Sequence, residues 1–233
     1  MLNNFSFRDF FCIFASSNYL KIMMLDLCSK LVDNDLTKEE LLQNVEIDKM
    51  SFDDAPFITD IFHRSFGLPS IEEALRQLIF TNARLDESVK LIDRRNGDIY
   101  GFLIFSEHPI QVGSPIGMIN PYLSAFLGGM KQIHGFAFAI DERLRGVGLD
   151  RKMLLYNMEF LKGFTYIWCA VEKDLKSHNY WKRLGFKEIF SIPDAKFYML
   201  PLNKSISPYI YNMVDFLKDG NYKDNRTSGT IDS

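Results

Sequence analysis

Asp141-Glu142-Arg143-Leu144-Arg145-Gly146-Val147-Gly148 joins two stretches of opposite character. Before it, Ile133–Ile140 reads as a strand. After it, Val147–Leu161 carries Leu149, Met153, Leu154, Met158 and Leu161 at helical spacing and closes on Gly163. Phe164–Val171 follows and is nearly all apolar, the mark of a central strand covered on both faces. A strand, helix and strand in this order make a parallel crossover unit, and the octapeptide is its strand-to-helix loop. Glycines at 146 and 148 let main-chain N–H groups approach a ligand, and the helix behind them adds the positive end of its dipole. Arg143 and Arg145 add charge. The loop predicts an anion cradle for a phosphate or pyrophosphate. It has neither the GxxxxGK[ST] spacing of a Walker loop nor the GxGxxG of dinucleotide folds.

Working outward, Val45–Met50 alternates apolar and polar residues as a strand does. Ser51-Phe52-Asp53-Asp54 caps a helix with Ala55, Ile58, Ile61, Phe62 and Phe66 on one face, stopped by Gly67. Pro69-Ser70 opens a second helix through Ile71, Leu75, Leu78 and Ile79, with Glu73 completing a capping box. Val89–Asp93 and Ile99–Phe105 read as strands joined by Arg95-Asn96-Gly97-Asp98, where Asn-Gly supplies the positive φ of a tight hairpin. His108–Met130 is a long apolar insertion. Beyond the crossover come a short helix over Lys176–Leu184, ended by Gly185, and a strand pair, Phe186–Ser191 and Lys196–Leu202, around Pro193-Asp194. Ser207-Pro208 opens a C-terminal helix. The order from Val45 is β-α-α-β-β-insert-β-α-β-α-β-β, an α+β or α/β domain with a mixed sheet. The organisation expected is an N-terminal helical arm over 1–44, the main domain over 45–202, a helix over 203–219 and a disordered tail over 220–233.

Composition narrows the function. Of 233 residues, 47% are hydrophobic and 24% charged, which excludes wholesale disorder. Lys+Arg number 27 against 30 Asp+Glu, so no basic field invites nucleic acid. Cys12, Cys28 and Cys169 form no CxxC pair and leave one thiol over, which favours a reducing, cytoplasmic setting. His63, His108, His134 and His178 match no HExxH or Cys/His zinc spacing, and no metal is expected. The apolar runs Phe10–Ala15 and Ile22–Leu25 fall short of the ~20 residues of a membrane span. They read as an amphipathic arm packing on the domain or on a partner, with a translation start at Met23 or Met24 as an alternative. Thr37-Lys38-Glu39-Glu40 is a capping box opening a short helix.

A second motif has its Trp181 thirty-eight residues after Arg143: Asn179-Tyr180-Trp181-Lys182-Arg183-Leu184-Gly185-Phe186, a helix ending in Gly-Phe that feeds a strand. Here the chain resembles the GNAT family of acyl-CoA-dependent N-acyltransferases. Arg143 to Gly148 is similar to that family's [RQ]xxGx[GA] coenzyme loop, and the second motif is similar to its YxKLGF element. The element order from Val45 to Leu202 agrees, so the resemblance covers about two-thirds of the chain. It implies a mixed, mostly antiparallel sheet flanked by helices, whose central parallel strands splay apart. It implies acetyl-CoA as co-substrate, its pantetheine arm bonded to main chain near Phe136, Ala137 and Phe138. The pyrophosphate would rest on the amides of Leu144, Arg145, Gly146, Val147, Gly148 and Leu149. A main-chain N–H near Phe138 would polarise the thioester carbonyl, and a neutral amine would attack it directly.

Three departures from the family pattern bear on the chemistry. Many members carry a tyrosine acid where this chain has Trp181, whose indole N–H does not ionise as an acid. Tyr180 is adjacent, about 100° away around the helix. Histone-modifying members hold a base glutamate where this chain has Gln132. His134 points to the same face of the strand and is the leading base candidate, with Glu172 at the end of the next strand another. Asp174 replaces an asparagine that touches the coenzyme. On the acceptor side, Pro109–Met130 contains no Asp, Glu, Lys or Arg, fitting an apolar lid or a buried packing segment. Acidic groups for a cationic acceptor are sparse: Glu72, Glu73 and Asp194. The reading is an acetyltransferase acting on a small-molecule or peptide amine, with a lean toward a small or apolar amine. No nucleic acid and no membrane span are expected, and a homodimer stays open. The alternative is a noncatalytic acyl-CoA-binding module with a sensing or scaffolding role.

Overall fold

The computed structural model describes residues 37–80, 82–107, 109–110, 115–172 and 178–218. The expectations for the arm before residue 37, for Asp174 and for the tail after residue 218 lie outside these residues. Local signals account for the first elements. Thr37 caps α1 (Lys38–Asn44): its hydroxyl accepts from the Glu40 main chain, and the Glu40 carboxylate accepts from Thr37 N at 2.8 Å. After β1 (Val45–Lys49), Ser51 and Asp54 make a second reciprocal cap at a 3-10 turn, Phe52–Asp54. Asp54 also holds Lys90 at 2.7 Å. α2 (Ala55–Phe66) buries Ala55, Ile58 and Phe62 and ends at Gly67, φ 61°. Ser70 Oγ accepts from Glu73 N at 3.1 Å and so caps α3 (Ile71–Phe80). The Glu73 carboxylate goes to Arg76 and Gln77.

Two local expectations need correction. β2 runs Ala83–Asp93, starting well before Val89. An irregular register between Arg84 and Val89 breaks the two-residue alternation that marks a strand in sequence. Buried Ser88 fills the irregularity, accepting from Phe105 N at 3.0 Å and donating to the Arg84 carbonyl. The connection to β3 (Ile99–Ser106) is not a two-residue turn with two left-handed residues. Gly97 alone has positive φ, 79°, and its N–H closes on the Asp93 carbonyl at 2.8 Å. Arg95 pairs with the Asp93 carboxylate and holds it below the usual carboxylate range.

The remaining elements are α4 (Pro115–Ile119), α5 (Pro121–Gly128), β4 (Gln132–Ile140), α6 (Leu149–Met158), β5 (Tyr166–Glu172), α7 (His178–Arg183), β6 (Lys187–Ser191), β7 (Ala195–Pro201) and α8 (Ser207–Lys218). The strand order is β1-β2-β3-β4-β5-β7-β6. Pairing is antiparallel throughout β1-β2-β3 and β5-β7-β6 and parallel between β4 and β5, giving the mixed, mostly antiparallel sheet expected. The chain divides into two compact units, Met1–His108 with Gly135–Leu161 and Pro109–His134 with Lys162–Ser233.

In the first unit, Ile58, Phe62, Ala74 and Leu78 pack with Phe102, Ile104, Ala137 and Ala139. β3 is buried along its whole length. Gly101 is required by close approach, since a Cβ there would stand 2.8 Å from the Ala139 carbonyl oxygen. In the second unit, β4 and β5 pair over Gln132–His134 against Tyr166–Trp168. The apolar insertion packs into this unit's core through Ile110, Ile116, Leu123 and Leu127. Asn120 caps α5 and donates to the Leu217 carbonyl of α8 at 2.9 Å, and the Tyr166 hydroxyl reaches the Leu127 carbonyl at 2.9 Å. Met118, Ile119 and Tyr122 remain exposed. Among the described residues no helix is long and apolar enough to cross a membrane.

Candidate functional site

The loop after β4 is built from its own sequence. Asp141 N–H reaches back to the Tyr100 carbonyl of β3 at 2.8 Å. The Asp141 carboxylate then caps a single 3-10 turn, Glu142–Leu144, by accepting from Arg143 N at 3.0 Å. The Arg143 side chain returns to the same carboxylate, Nε to Oδ1 at 2.9 Å. Burial pushes the Asp141 carboxyl up, and the Arg143 hydrogen bonds and charge overcome this, leaving it below its ordinary value. Arg145 donates from Nε to the Ile140 carbonyl at 2.9 Å. The Lys38 ammonium of α1 donates to the Arg145 carbonyl at 3.4 Å. Leu144 is buried and its N–H donates to the Asp141 carbonyl at 3.0 Å, while the Arg145 N–H donates to the Glu142 carbonyl at 3.3 Å, so these two amides, expected to hold a ligand, are already used within the 3-10 turn.

Gly146 and Gly148 have φ of 80° and 81°, and Gly148 is the N-cap of α6. A Cβ at either would meet nothing within 4 Å. Glycine is therefore required by the left-handed backbone, which costs an L-residue about 1–2 kcal/mol, and not by protein crowding. The helix begins at Leu149, two residues later than the apolar pattern predicts, because these conformations break the helix until then. The result is a loop of exposed main chain, Arg145 to Gly148, at the N-terminus of a ten-residue helix. That is the backbone geometry of an anion cradle.

The arginine side chains lie elsewhere. Ile61, Arg64, Ser65, Ile99, Tyr100, Ile140, Asp141, Glu142, Arg143 and Arg145 line a pocket of about 500 Å³ within the first unit. The Arg143 guanidinium sits 5.6 Å from the centre of the Tyr100 ring. Tyr100 is buried, and burial raises its hydroxyl's pKa. Gly146, Val147 and Gly148 are not in this lining. Arg64, Tyr100 and Glu142 were not singled out from the sequence, and the Asp60–Arg64 pair at one helical turn was the legible trace of the first.

The nominated side chains of the second unit sit among aromatic rings. His134, half-buried, stacks on Trp168 with centroids 4.1 Å apart. Gln132 tethers the insertion, accepting from Ile110 N at 2.8 Å. Tyr180, half-buried, meets Trp181 edge-on at 5.2 Å, and Trp181 in turn meets Phe186 at 5.1 Å. Glu172 is exposed at the end of β5. His178, which the sequence did not single out, shares a 3.0 Å hydrogen bond between Nδ1 and the buried Tyr198 hydroxyl. In the first unit, Phe136 and Phe138 are half-buried and Ala137 is buried, with Phe136 5.7 Å from Phe62.

No family model and no curated protein matches the sequence. Solved structures resemble its fold. A protein of Pyrococcus horikoshii OT3 is similar at 17% identity over 68% of this chain and 99% of its own, TM-score 0.51. A GNAT family N-acetyltransferase from Escherichia coli, solved in complex with CoA, is similar at 20% identity over 70% of this chain and 83% of its own, TM-score 0.50. Likeness at this identity establishes the fold: the chain has the GNAT fold.

Proposed function

We propose that the protein is an acyl-CoA-dependent N-acyltransferase that moves acetyl from acetyl-CoA to a primary amine. The observation that carries this reading is the Arg143–Gly148 loop. Its two left-handed glycines end at the N-cap of α6, inside a fold that the E. coli neighbour uses with CoA. In this reading the amides of Gly146 to Leu149 receive the pyrophosphate, and main chain near Phe136–Phe138 receives the pantetheine arm. Phosphate oxygens suit this cradle because unpaired amides and the helix dipole both favour negative charge.

The chemistry needs one proton movement and one leaving group. The amine nitrogen must lose a proton as it bonds to the thioester carbon, and the carbon–sulfur bond breaks to release CoA as thiolate. His134 takes the amine's proton in this reading, with Glu172 second to it. The thiolate leaves without a donor, as a thiol of pKa near 8.5 permits, and Tyr180 is the residue that would otherwise supply one. The lack of charge in the insertion supports a small or apolar amine as acceptor.

The test is thiol release from acetyl-CoA over a panel of alkyl, aryl and peptide amines, beside thermal shifts with acetyl-CoA and with ATP. Amine-dependent thiol release is the expected result. A shift with acetyl-CoA and no thiol release over the panel would leave a binding module. A shift with ATP alone would remove the coenzyme assignment.

A further inference from the structure

We infer that the pocket between α2, the start of β3 and the 141–145 loop is a second ligand site, shaped for a small zwitterion with an aliphatic body, an aliphatic α-amino acid. Charge accounting within the pocket leads to this class. Of its three guanidiniums, Arg64 is paired with Asp60 at 2.8 Å and Arg143 with Asp141 at 2.9 Å. Arg145 uses Nε on the Ile140 carbonyl and makes no ion pair among the described residues. Glu142 lines the same pocket and likewise makes no ion pair among them. One cation and one anion are thus left over in one concavity. A simple anion or a simple cation would answer only one of them. A molecule carrying both a carboxylate and an ammonium answers both.

The rest of the lining fits the body of such a molecule. Ile61, Ile99 and Ile140 supply aliphatic surface, two of them almost fully buried at 5% and 6% exposure. About 500 Å³ is within the range of sites for small organic ligands. Tyr100 adds a buried hydroxyl that meets no hydrogen-bonding partner among the described residues. Native interiors rarely leave such a group unsatisfied, so it marks a place where a further polar partner belongs. The site is separate from the backbone cradle, whose glycines are absent from the lining, and it stands whether or not the chain transfers acyl groups.

The experiment reads binding, so its failure is distinct from failure of the transferase reading. In the full chain with labelled isoleucine δ1 methyls, the Ile61, Ile99 and Ile140 signals are followed while L-norleucine, hexanoate or hexylamine is added. L-norleucine should shift all three saturably, with Kd at least about tenfold below that of either single-charge analogue, the worth of one charge-assisted hydrogen bond. Arg145→Gln and Glu142→Gln, both at exposed positions, should each weaken L-norleucine by about tenfold. Loss in one variant only, or equal binding of hexanoate or hexylamine, would overturn the zwitterion class. Silence of the three methyls toward every probe would overturn the site. Competition between CoA and L-norleucine would make the pocket part of the coenzyme site and overturn its separateness.

Discussion

The 141–148 loop of the first unit and the α7 region of the second hold their side chains by different physics. In the loop, three of the four charged residues are fixed by a neighbour close in sequence: Asp141 and Arg143 by each other, Arg145 by the Ile140 carbonyl. Around α7 and β5, two histidines are held by rings distant in sequence: His134 by Trp168 and His178 by Tyr198. A loop made of main chain and near-neighbour contacts can be read from spacing. Proton-handling groups cannot, because what surrounds a ring nitrogen is decided by strands tens of residues away.

The sharpest way to break this contrast is at His134. If it takes the amine's proton, His134→Gln should lower kcat/KM by about 10²–10⁴ near pH 7 and leave the acetyl-CoA Kd within a few-fold. Raising the pH should restore part of the rate, since more amine is then already neutral. A fall in melting temperature with kcat/KM unchanged from pH 6 to 9 would reduce the histidine to its stack on Trp168. Ring pairs of that kind are worth about 0.5–1.5 kcal/mol.

Next in size is the loop itself. Gly146→Glu forces a left-handed residue and sets a carboxylate beside the amides proposed to receive the pyrophosphate. Acetyl-CoA at about 100 times its Kd should stabilise the wild type by roughly 2.7 kcal/mol and the variant far less. Because a Cβ at 146 meets no protein atom within 4 Å, the variant should fold, and the loss should appear in binding. A folded variant with the wild-type shift would move the cradle elsewhere.

A smaller effect is expected at α7. Tyr180→Phe should change kcat by less than about threefold, because the tyrosine lies about 100° around the helix from position 181. Trp181→Tyr should raise kcat by placing an ionisable hydroxyl there. A tenfold loss in Tyr180→Phe with coenzyme binding and melting temperature intact would assign the acid to Tyr180.

What was legible in the sequence follows the same division. Strand order, the helices outside the insertion, the caps at Thr37, Ser51 and Ser70, and the glycine ends at 67 and 185 were readable, because each depends on residues within a turn of one another, whereas the two short helices of the insertion, Pro115–Ile119 and Pro121–Gly128, were not. The start of β2 was not, because Ser88 compensates the irregular register through Phe105, a residue from the next strand. Gln132 offered only the lack of a base, and its role as a clamp on Ile110 emerged from tertiary structure. Arg143 and Arg145 read as charges for the cradle, and their side chains line the pocket against α2. Sequence spacing gives the loop but not which of its two sides a side chain takes.

The mildest prediction tests whether near-neighbour charge fixing in the first unit carries through to stability. Beside the β2 irregularity, Arg84 contacts three carboxylates, Asp86, Glu87 and Glu107. One guanidinium cannot balance three, and Glu87 has the least exposed side chain of the three acids, 12%. Burial, and then the neighbouring Asp86, push the Glu87 carboxyl up to about 7 from an ordinary 4.5, against the opposing pull of Arg84. The folded protein therefore holds this proton more tightly than the unfolded chain. Its stabilising contribution is complete below pH 4.5 and fades as pH rises through about 7. Asp86 shifts the other way, below its ordinary 3.8, and is ionised in both states across this window, so it does not offset the change. Glu87→Gln keeps the shape and cannot ionise. Its melting temperature should gain on the wild type between pH 5 and pH 8, by about 2–4 °C for each kcal/mol involved. A difference that stays constant across that range would mean that Arg84 alone balances the cluster and that Glu87 is ionised throughout.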